Sequence, residues 1–209
     1  KKIGAGDLSI QNEYKQSDEF GELAQSFEDM AHGLKDSAEK IQFMAFHDNL
    51  TGLPNRAQFH HDMDQSMAQA KRTGDKFALL FVDIDDFKLV NDARGHITGD
   101  RLLKAITQRV NEQLRETDQI MSQSTRSQAE SDNPMFSRIG GDEFAILLSS
   151  VDDPLYAGTI SQRLIENISR PFLIDGDEIF VGASIGVSIF PEDSQNPEDL
   201  IKFADIAMY

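Results

Sequence analysis

The chain has 209 residues, with 36 acidic side chains against 20 Lys and Arg, a net charge of −16, and no Cys. Its 39% hydrophobic and 27% charged residues are typical of a soluble globular protein, and its length suits one full domain plus an appendage. The negative charge argues against general nucleic-acid or anionic-membrane binding. The absence of Cys excludes disulfides and thiolate metal sites, and no apolar run approaches the roughly 20 residues of a membrane helix.

The N-terminal segment, residues 17–46, carries the clearest periodicity. Apolar residues recur every seven positions in two sets offset by three, and only one position, Ser37, is polar. The two sets are Phe20, Phe27, Leu34 and Ile41, and Leu23, Met30, Ser37 and Met44. This narrow seam with polar flanks predicts a helix that pairs as a coiled coil. An amphipathic helix that lies on its own domain is the alternative.

The middle of the chain reads as turn, helix, strand and helix. Residues 48–56, DNLTGLPNR, predict a structured turn, and a helix follows over about 58–72. The apolar run from Phe77 to Ile84 is typical of a central strand buried on both faces. After a polar stretch to Gly99, one apolar face predicts a helix over 101–117. Residues 119–134 are polar and aperiodic and predict an inserted surface loop.

The C-terminal part predicts two hairpins and two helices. Strands over 136–139 and 144–148 flank Gly140-Gly141, and strands over 172–174 and 179–190 flank Asp175-Gly176. A helix begins at Asp153-Pro154, and Asn196-Pro197 begins a last helix that runs into Tyr209. We therefore predict an α/β (α+β) domain over 47–209, with helices packed on a mostly antiparallel sheet, preceded by a separate segment over 1–46.

Two acidic clusters stand out within this pattern. Asp83-Ile-Asp85-Asp86 lies where the buried strand ends, and Asp142-Glu143 lies at a hairpin tip behind two glycines. If the two strands are neighbours, the carboxylates converge into an all-oxygen set of the kind that binds Mg²⁺. Glycines at the tip also let the backbone approach a ligand closely. Solvated acidic turns, common on an acidic protein, are the alternative reading.

The motifs themselves resemble a known family. Arg138-Ile-Gly-Gly-Asp-Glu-Phe144 matches the signature of the GGDEF family, the bacterial diguanylate cyclases, and the resemblance covers about 45–209. The family's other marks follow in order: Asp48–Arg56, Phe81–Asp92, Gly95-His96 with Gly99-Asp100, and Ala204–Tyr209. Residues 4–36, with Gly6-Asp7-Leu8 and Ser17–Leu23, resemble the second half of a HAMP signalling module.

The resemblance implies a nucleotidyl-cyclase-like fold and the condensation of two GTP into cyclic di-GMP with release of two pyrophosphates. It implies that Asp83, the carbonyl of Ile84 and Asp142 hold Mg²⁺ or Mn²⁺, with Glu143 serving a second ion. Asp142 is the family's proposed base for the 3′-hydroxyl, a role that geometry has to decide because a metal-bound carboxylate is a poor base. Lys88 stabilises negative charge in the transition state. It further implies a homodimer, regulated through the HAMP-like helix, in the cytoplasmic part of a protein anchored in the inner membrane.

The same resemblance assigns the nucleotide contacts. Asn91 and Asp100 would read the guanine edge, because a carboxylate accepts from the N1 and N2 donors that adenine does not offer in that pattern. Backbone N–H groups around Asp86 and Phe87 would hold phosphates. His96 either contacts the ligand or braces its loop.

The remaining residues singled out have structural interpretations. Asp85 and Asp92 are solvated or capping residues, Asp48, Asn55 and Arg56 form a turn network, Phe87 and Phe144 are core anchors, and Arg138 forms a strand-edge ion pair.

The sequence departs from the family pattern in two places. Many members carry an inhibitory Arg-x-x-Asp five residues before the glycine pair, where this chain has Ser131-Asp-Asn-Pro134. Arg115-Glu-Thr-Asp118 occurs earlier, and either keeps that place beside the hairpin or is an exposed ion pair; we expect weak or no inhibition by cyclic di-GMP. The family also continues past the final Tyr with a Lys and an Arg that contact GTP phosphates, and the chain stops at Tyr209.

Two other functions are compatible with parts of the sequence. A catalytically inactive GGDEF-type sensor would bind GTP or cyclic di-GMP and signal through the coiled coil, but degenerate members usually lose acidic residues of the signature, and this chain keeps them all. A module that only dimerises would leave the acidic hairpin unexplained.

Overall fold

The computed structural model describes residues 19–124, 134–151 and 153–208, without the side chains of 19–24, 39, 42 and 116–124. The chain divides into two units, residues 1–46 and residues 47–209, which are described separately. Of the described helices, none combines the length and the apolar character that crossing a membrane requires.

In chain order the elements are α1 (Glu19–Phe46), α2 (Arg56–Thr73), β1 (Phe77–Asp85), α3 (Phe87–Arg94), α4 (His96–Ser124), β2 (Met135–Gly140), β3 (Glu143–Leu148), α5 (Pro154–Ile168), β4 (Phe172–Ile174), β5 (Asp177–Ile179), β6 (Gly182–Phe190) and α6 (Pro197–Met208).

Helix α1 forms the described part of the first unit and confirms the helix predicted there. Its apolar seam is open to solvent: the five seam side chains that are described are 50–64% exposed. They are Phe27, Met30, Leu34, Ile41 and Met44. The side chains of Phe20 and Leu23 lie outside the described residues. Pairing of α1 as a coiled coil stays a prediction.

The second unit is built on a four-stranded sheet in the order β2-β3-β1-β6, with every neighbouring pair antiparallel. This confirms the predicted α+β class with a mostly antiparallel sheet. Strand β1 lies at the centre and alternates its side chains between two cores. Leu80 and Ile84 face the core that includes α4 and α5, and Leu79 and Phe81 face the core that includes α2 and α6.

Helix α6 contacts β6 at backbone distance. A Cβ added to Gly186 would lie 1.8 Å from the Ala204 carbonyl oxygen and 2.6 Å from the Met208 backbone nitrogen. The buried Ser188 hydroxyl donates to the Leu200 carbonyl at 2.9 Å. The helix therefore has a fixed position on the sheet, with its middle turn beside the strand pair β1–β6.

Three predicted elements were wrong in extent or identity. Residues 87–94 form a helix, α3, where the sequence predicted a polar connection; it begins at a left-handed Asp86 (φ 59°), which no sequence pattern signals. Helix α4 begins at His96 and continues to Ser124, into the predicted loop, because Gly95 ends α3 and a polar run of Gln and Ser still tolerates a helix. Residues 125–133 of that predicted loop lie outside the described residues.

The predicted strand over 179–190 is two strands. Strand β5 pairs with β4 in a separate two-stranded sheet, and β6 joins the main sheet beside β1. Ion pairs between Arg94 and Asp177, at 2.6 Å, and between Arg101 and Asp175 hold this small hairpin against α3 and α4. The last helix ends at Met208, and Tyr209 lies outside the described residues.

Candidate active site

The two acidic clusters lie side by side. Asp83 of β1 is the register partner of Glu143 of β3, and the Ile84 N–H donates to the Asp142 carbonyl at 3.3 Å. Directly opposed residues of an antiparallel pair project their side chains to the same face, with Cβ atoms about 5 Å apart. The strand end and the glycine-backed hairpin therefore present their carboxylates to one place.

The carboxylates at this place repel one another. Burial, together with the negative charges of Asp142, Glu143, Asp85 and Asp205, raises the pKa of Asp83 to about 6. Asp205 lies on α6, and its approach to Asp83 was not predicted because nothing in the sequence places that helix. Five carboxylates thus share one region, which a cation would stabilise.

Asp85 has a partner of its own. The Ser184 hydroxyl donates to Asp85 Oδ1 at 2.7 Å, and a Cβ on Gly182, the register partner of Asp85, would lie 2.5 Å from Oδ2. The expectation that Asp85 only caps or is solvated is therefore wrong. It links β1 to β6 next to Asp83.

The hairpin tip is held by Arg138. Its guanidinium donates twice to the Gly141 carbonyl, at 2.7 and 3.1 Å, and once to Asp48 Oδ1 at 2.8 Å. The expected ion pair of Arg138, on the edge strand β2, is confirmed, with Asp48 as its partner. The Arg138 side chain is only 11% exposed, and its contacts connect the DNLTGLPNR turn to the residue before Asp142. The Asp48 carboxylate also accepts from the Thr51 N–H and hydroxyl, which confirms its role in a turn network.

The pKa of Asp48 reflects this arrangement. Burial acts to raise it, but the hydrogen bonds from Thr51 and Arg138, with the positive charge of Arg138, outweigh burial and leave the pKa lowered. The carboxylate is therefore ionised at neutral pH and holds Arg138 in place.

The start of α3 lies next to the acidic cluster. Asp86, exposed and left-handed, directs the chain from β1 into the helix, and its carbonyl accepts from the N–H groups of Leu89 and Val90. The first N–H groups of a helix have no intrahelical acceptor, so Phe87 and Lys88 offer backbone donors there. The Phe87 ring is buried and Phe144 is 1% exposed, which confirms both as core anchors, whereas the Lys88 side chain is exposed.

The residues assigned to the base lie around the corner between α3 and α4. Asn91 is half-buried on α3, and its Oδ1 accepts no hydrogen bond from any described residue. Gly99, adjacent to Asp100, lies against that amide. His96 is the first residue of α4 and Asp100 lies one turn later, and both are exposed.

The possible inhibitory pair lies elsewhere on α4. Arg115 is exposed, and the side chain of Asp118 lies outside the described residues. Its relation to the hairpin stays a prediction.

A divalent ion fits the chemistry of the acidic cluster. Among the residues that the structure describes, no three His, Asp or Glu side chains form a ready-made metal-binding group. Mg²⁺ is usually held by one or two carboxylates together with substrate phosphates, so it does not require such a group. The mutual repulsion that raises the pKa of Asp83 is the kind of repulsion that a cation relieves.

Comparison with known proteins agrees with this geometry. The family model described as diguanylate cyclase, GGDEF domain, matches residues 45–124 and 119–209, and the HAMP domain model matches residues 1–36. A bifunctional diguanylate cyclase/cyclic di-GMP phosphodiesterase, MucR of Pseudomonas aeruginosa, is 40% identical over 171 residues, which are 82% of this chain and 22% of that protein.

Two further matches concern one relative. The diguanylate cyclase TpbB of Pseudomonas aeruginosa is 34% identical over 193 residues, 92% of this chain and 41% of TpbB. A solved GGDEF domain of TpbB (YfiN) superposes with a TM-score of 0.67 at 35% identity, covering 78% of this chain and 86% of that one. The chain spans less than half the length of either curated relative. Together with the paired acidic clusters, these matches show that the chain belongs to the GGDEF family of diguanylate cyclases, with a HAMP domain at its N-terminus.

Proposed function

We propose that this chain is a catalytically active diguanylate cyclase, which condenses two GTP into cyclic di-GMP and two pyrophosphates as a homodimer regulated through its HAMP segment. The observation that carries the proposal is the register pairing of Asp83 with Glu143, beside Asp142, at the site where the pKa of Asp83 is raised. A strongly shifted pKa caused by burial and neighbouring charges is typical of catalytic and ligand-binding sites.

The reaction makes two phosphodiester bonds. Each 3′-hydroxyl oxygen attacks the α-phosphorus of the other GTP, the bond from that phosphorus to the bridging oxygen breaks, and pyrophosphate leaves. Each 3′-hydroxyl loses one proton, which we assign to the Asp142 carboxylate of the site. Lys88 and the backbone N–H groups of Phe87 and Lys88 place positive charge where the phosphates gain negative charge.

The acidic cluster would hold the metal. Asp83, the Ile84 carbonyl and Asp142 would bind one Mg²⁺ or Mn²⁺, and Glu143 a second. When bound, such ions neutralise phosphate charge and activate the attacking oxygen. Without them, the carboxylates of this site would repel a triphosphate.

Base recognition falls to the corner between α3 and α4. The Asp100 carboxylate accepts from guanine N1 and N2, and the Asn91 amide supplies a further hydrogen bond. His96, exposed at the same corner, completes the proposed contacts. Adenine offers no donors in the matching positions. With ATP bound, the polar groups of the site would therefore stay unpaired, and this cost makes the site selective for GTP.

A single site holds one GTP, so the product requires two sites facing each other. The exposed seam of α1 suits a parallel partner helix, which would hold two subunits together. Pairing of the helices would reduce the entropic cost of bringing two active sites face to face. Regulation would follow if the HAMP segment alters the packing of these helices.

The test is turnover of GTP by the 209-residue chain. With Mg²⁺ we expect cyclic di-GMP and pyrophosphate in a 1:2 ratio, measured by chromatography and a phosphate-coupled assay. Asp142→Ala/Glu143→Ala should abolish product and leave the dimer intact, whereas Asp64→Ala, an exposed acid on α2, should behave like the unaltered chain. GTP binding without product would favour the inactive sensor instead.

A further inference from the structure

Gly99 occupies a position where a side chain would displace a neighbouring group. It is buried on the first turn of α4, and a Cβ there would lie 2.0 Å from Asn91 Oδ1, 3.0 Å from Asn91 Cγ and 3.2 Å from Phe87 Cζ. Its backbone is not left-handed, and Gly is a poor helix former. Space, rather than backbone conformation, therefore accounts for Gly at this position.

The neighbour that a side chain would displace is the Asn91 amide. The Phe87 ring is 8% exposed and packed in the core, so it has little freedom to move. The Asn91 Oδ1 atom is buried and receives no hydrogen bond from any described residue. Contact with Gly99 and Phe87, rather than a hydrogen bond to that oxygen, thus sets where the amide lies.

We infer that Gly99 is a positioning residue for base recognition: the space above its Cα holds the Asn91 amide in the orientation that binds guanine. The inference rests on the proposed function, in which Asn91 contacts the base. It assigns a role to a glycine that itself offers no side chain to the nucleotide. The contact joins the first turn of α4 to α3, so it also sets the distance between Asn91 and Asp100.

The test is Gly99→Ala in the full chain. The added methyl group should push the flexible end of Asn91 aside and leave the helix intact, since Ala favours a helix more than Gly does. We expect the affinity for GTP with Mg²⁺, measured by displacement of a fluorescent ribose-labelled GTP analogue, to fall at least tenfold. The weaker affinity for ATP, which depends on the phosphates, should change less than twofold.

Gly158→Ala is the matched control. Gly158 lies near the start of α5, and a Cβ there would meet nothing within 4 Å. This variant should bind GTP and ATP like the unaltered chain. Circular dichroism and a melting curve should show all three proteins folded.

A double-mutant cycle separates positioning from general damage. If Gly99 acts through Asn91, adding Gly99→Ala to Asn91→Ala should cost less than twofold in GTP affinity, because the amide is already gone. Additive losses would overturn the inference, as would equal losses for GTP and ATP or unchanged binding by Gly99→Ala. If Gly99→Ala fails to fold alone, the double variant still has room for the methyl group, and a loss of GTP affinity of more than twofold relative to Asn91→Ala would overturn the inference.

The proposed function fails on a different result. If the unaltered chain neither binds GTP nor converts it, the assignment of the site is wrong, whatever the Gly99 variants do. If it binds GTP selectively and Gly99→Ala does the same, only the role of Gly99 is wrong.

Discussion

At the scale of single residues, Asp83 shows that the acidic cluster lowers the stability of the folded protein at neutral pH. Its pKa is raised to about 6 from an ordinary value of 3.8, first by burial and then by four neighbouring carboxylates. The folded state therefore binds a proton more tightly than the unfolded state does. Stability from this group is present below about pH 4 and is lost as the pH rises through 6.

Asp83→Asn should stabilise the metal-free protein at pH 7.5, because Asn carries no charge in the cluster. After allowance for solvent screening of a half-exposed group, we expect a gain of about 1 kcal/mol, or roughly 2–4 °C in Tm. The gain should vanish near pH 4, where Asp83 is protonated. Melting curves in EDTA at the two pH values measure it.

Asp64→Asn controls for the loss of one negative charge, since Asp64 is exposed on α2. It should change Tm little at either pH. A Tm of Asp83→Asn equal to or below that of the unaltered chain at pH 7.5 would contradict the electrostatic interpretation.

Arg138, unlike Asp83, stabilises the folded protein at the site. Arg138→Met removes hydrogen bonds to the Gly141 carbonyl and leaves the half-buried Asp48 carboxylate without its ion pair. Loss of charged hydrogen bonds of this kind costs about 2 kcal/mol of unfolding free energy. Urea titration measures the loss, and cyclase activity should fall with it because the tip before Asp142 loses its anchor.

The comparison is Arg94→Met, which breaks an ion pair whose side chains are 41% and 68% exposed. Exposed pairs contribute less than about 1 kcal/mol, so this variant should unfold close to the unaltered chain. Equal effects of the two Arg variants would show that the Arg138 contacts stabilise the protein no more than an exposed ion pair does.

At the scale of elements, the position of α6 on β6 decides where Asp205 lies. The backbone atoms that a Cβ on Gly186 would meet belong to Ala204 and Met208, and they cannot turn aside as a side chain would. Gly186→Ala must therefore shift the helix, and we expect a loss of about 3 kcal/mol in urea titration. Gly158→Ala, in open space, should be neutral or stabilise by up to about 1 kcal/mol.

A small effect of Gly186→Ala would mean that α6 slides on the sheet without cost. In that case the approach of Asp205 to Asp83 would not be a fixed property of the fold.

The elements also show what the sequence could and could not predict. The strand β1 and the β2–β3 hairpin follow from a continuous apolar run and a glycine pair, and their pairing brings Asp83 to Glu143 as expected. Helix α3 was missed because it is short, polar and begins at a left-handed Asp. The run 179–190 predicts one strand, but its first residue ends β5 and residues 182–190 form β6, because an apolar pattern does not show where one strand ends and the next joins another sheet.

Contacts that depend on tertiary packing were missed for a different reason. The Arg138–Asp48 and Ser184–Asp85 hydrogen bonds and the approach of Asp205 join parts of the chain with no shared local pattern. Motifs showed which residue types were present. Only the fold shows that Arg138 holds the tip of the β2–β3 hairpin and that Gly99 faces Asn91.

At the scale of the whole molecule, the proposed chemistry requires more than the second unit provides. In the proposed function, the carboxylates, the backbone donors of α3 and the corner between α3 and α4 would form one half of a two-substrate site. The exposed seam of α1 is the surface that would recruit the other half. Dimerisation and turnover should therefore be lost together when the seam is altered.

Leu34→Asp places a charge in the middle of that seam, at a side chain that is 55% exposed in the single chain. Against a partner helix the charge would be buried without an ion pair, so we expect a dimer to become a monomer in light scattering. Product formation at low protein concentration should fall at least tenfold and rise with the square of protein concentration, since two monomers must then meet for each product.

His32→Asp is the matched change, because His32 is exposed and lies two residues before Leu34, on the polar side of the heptad. It should leave both the dimer and the rate per subunit unchanged, as a charge there stays in water. If Leu34→Asp is monomeric and yet forms cyclic di-GMP at the rate of the unaltered chain, in proportion to protein concentration, two facing sites are not needed. If both variants lose the dimer, the cause is a weaker helix or the added negative charge rather than the seam, because those are the only effects that the two substitutions share.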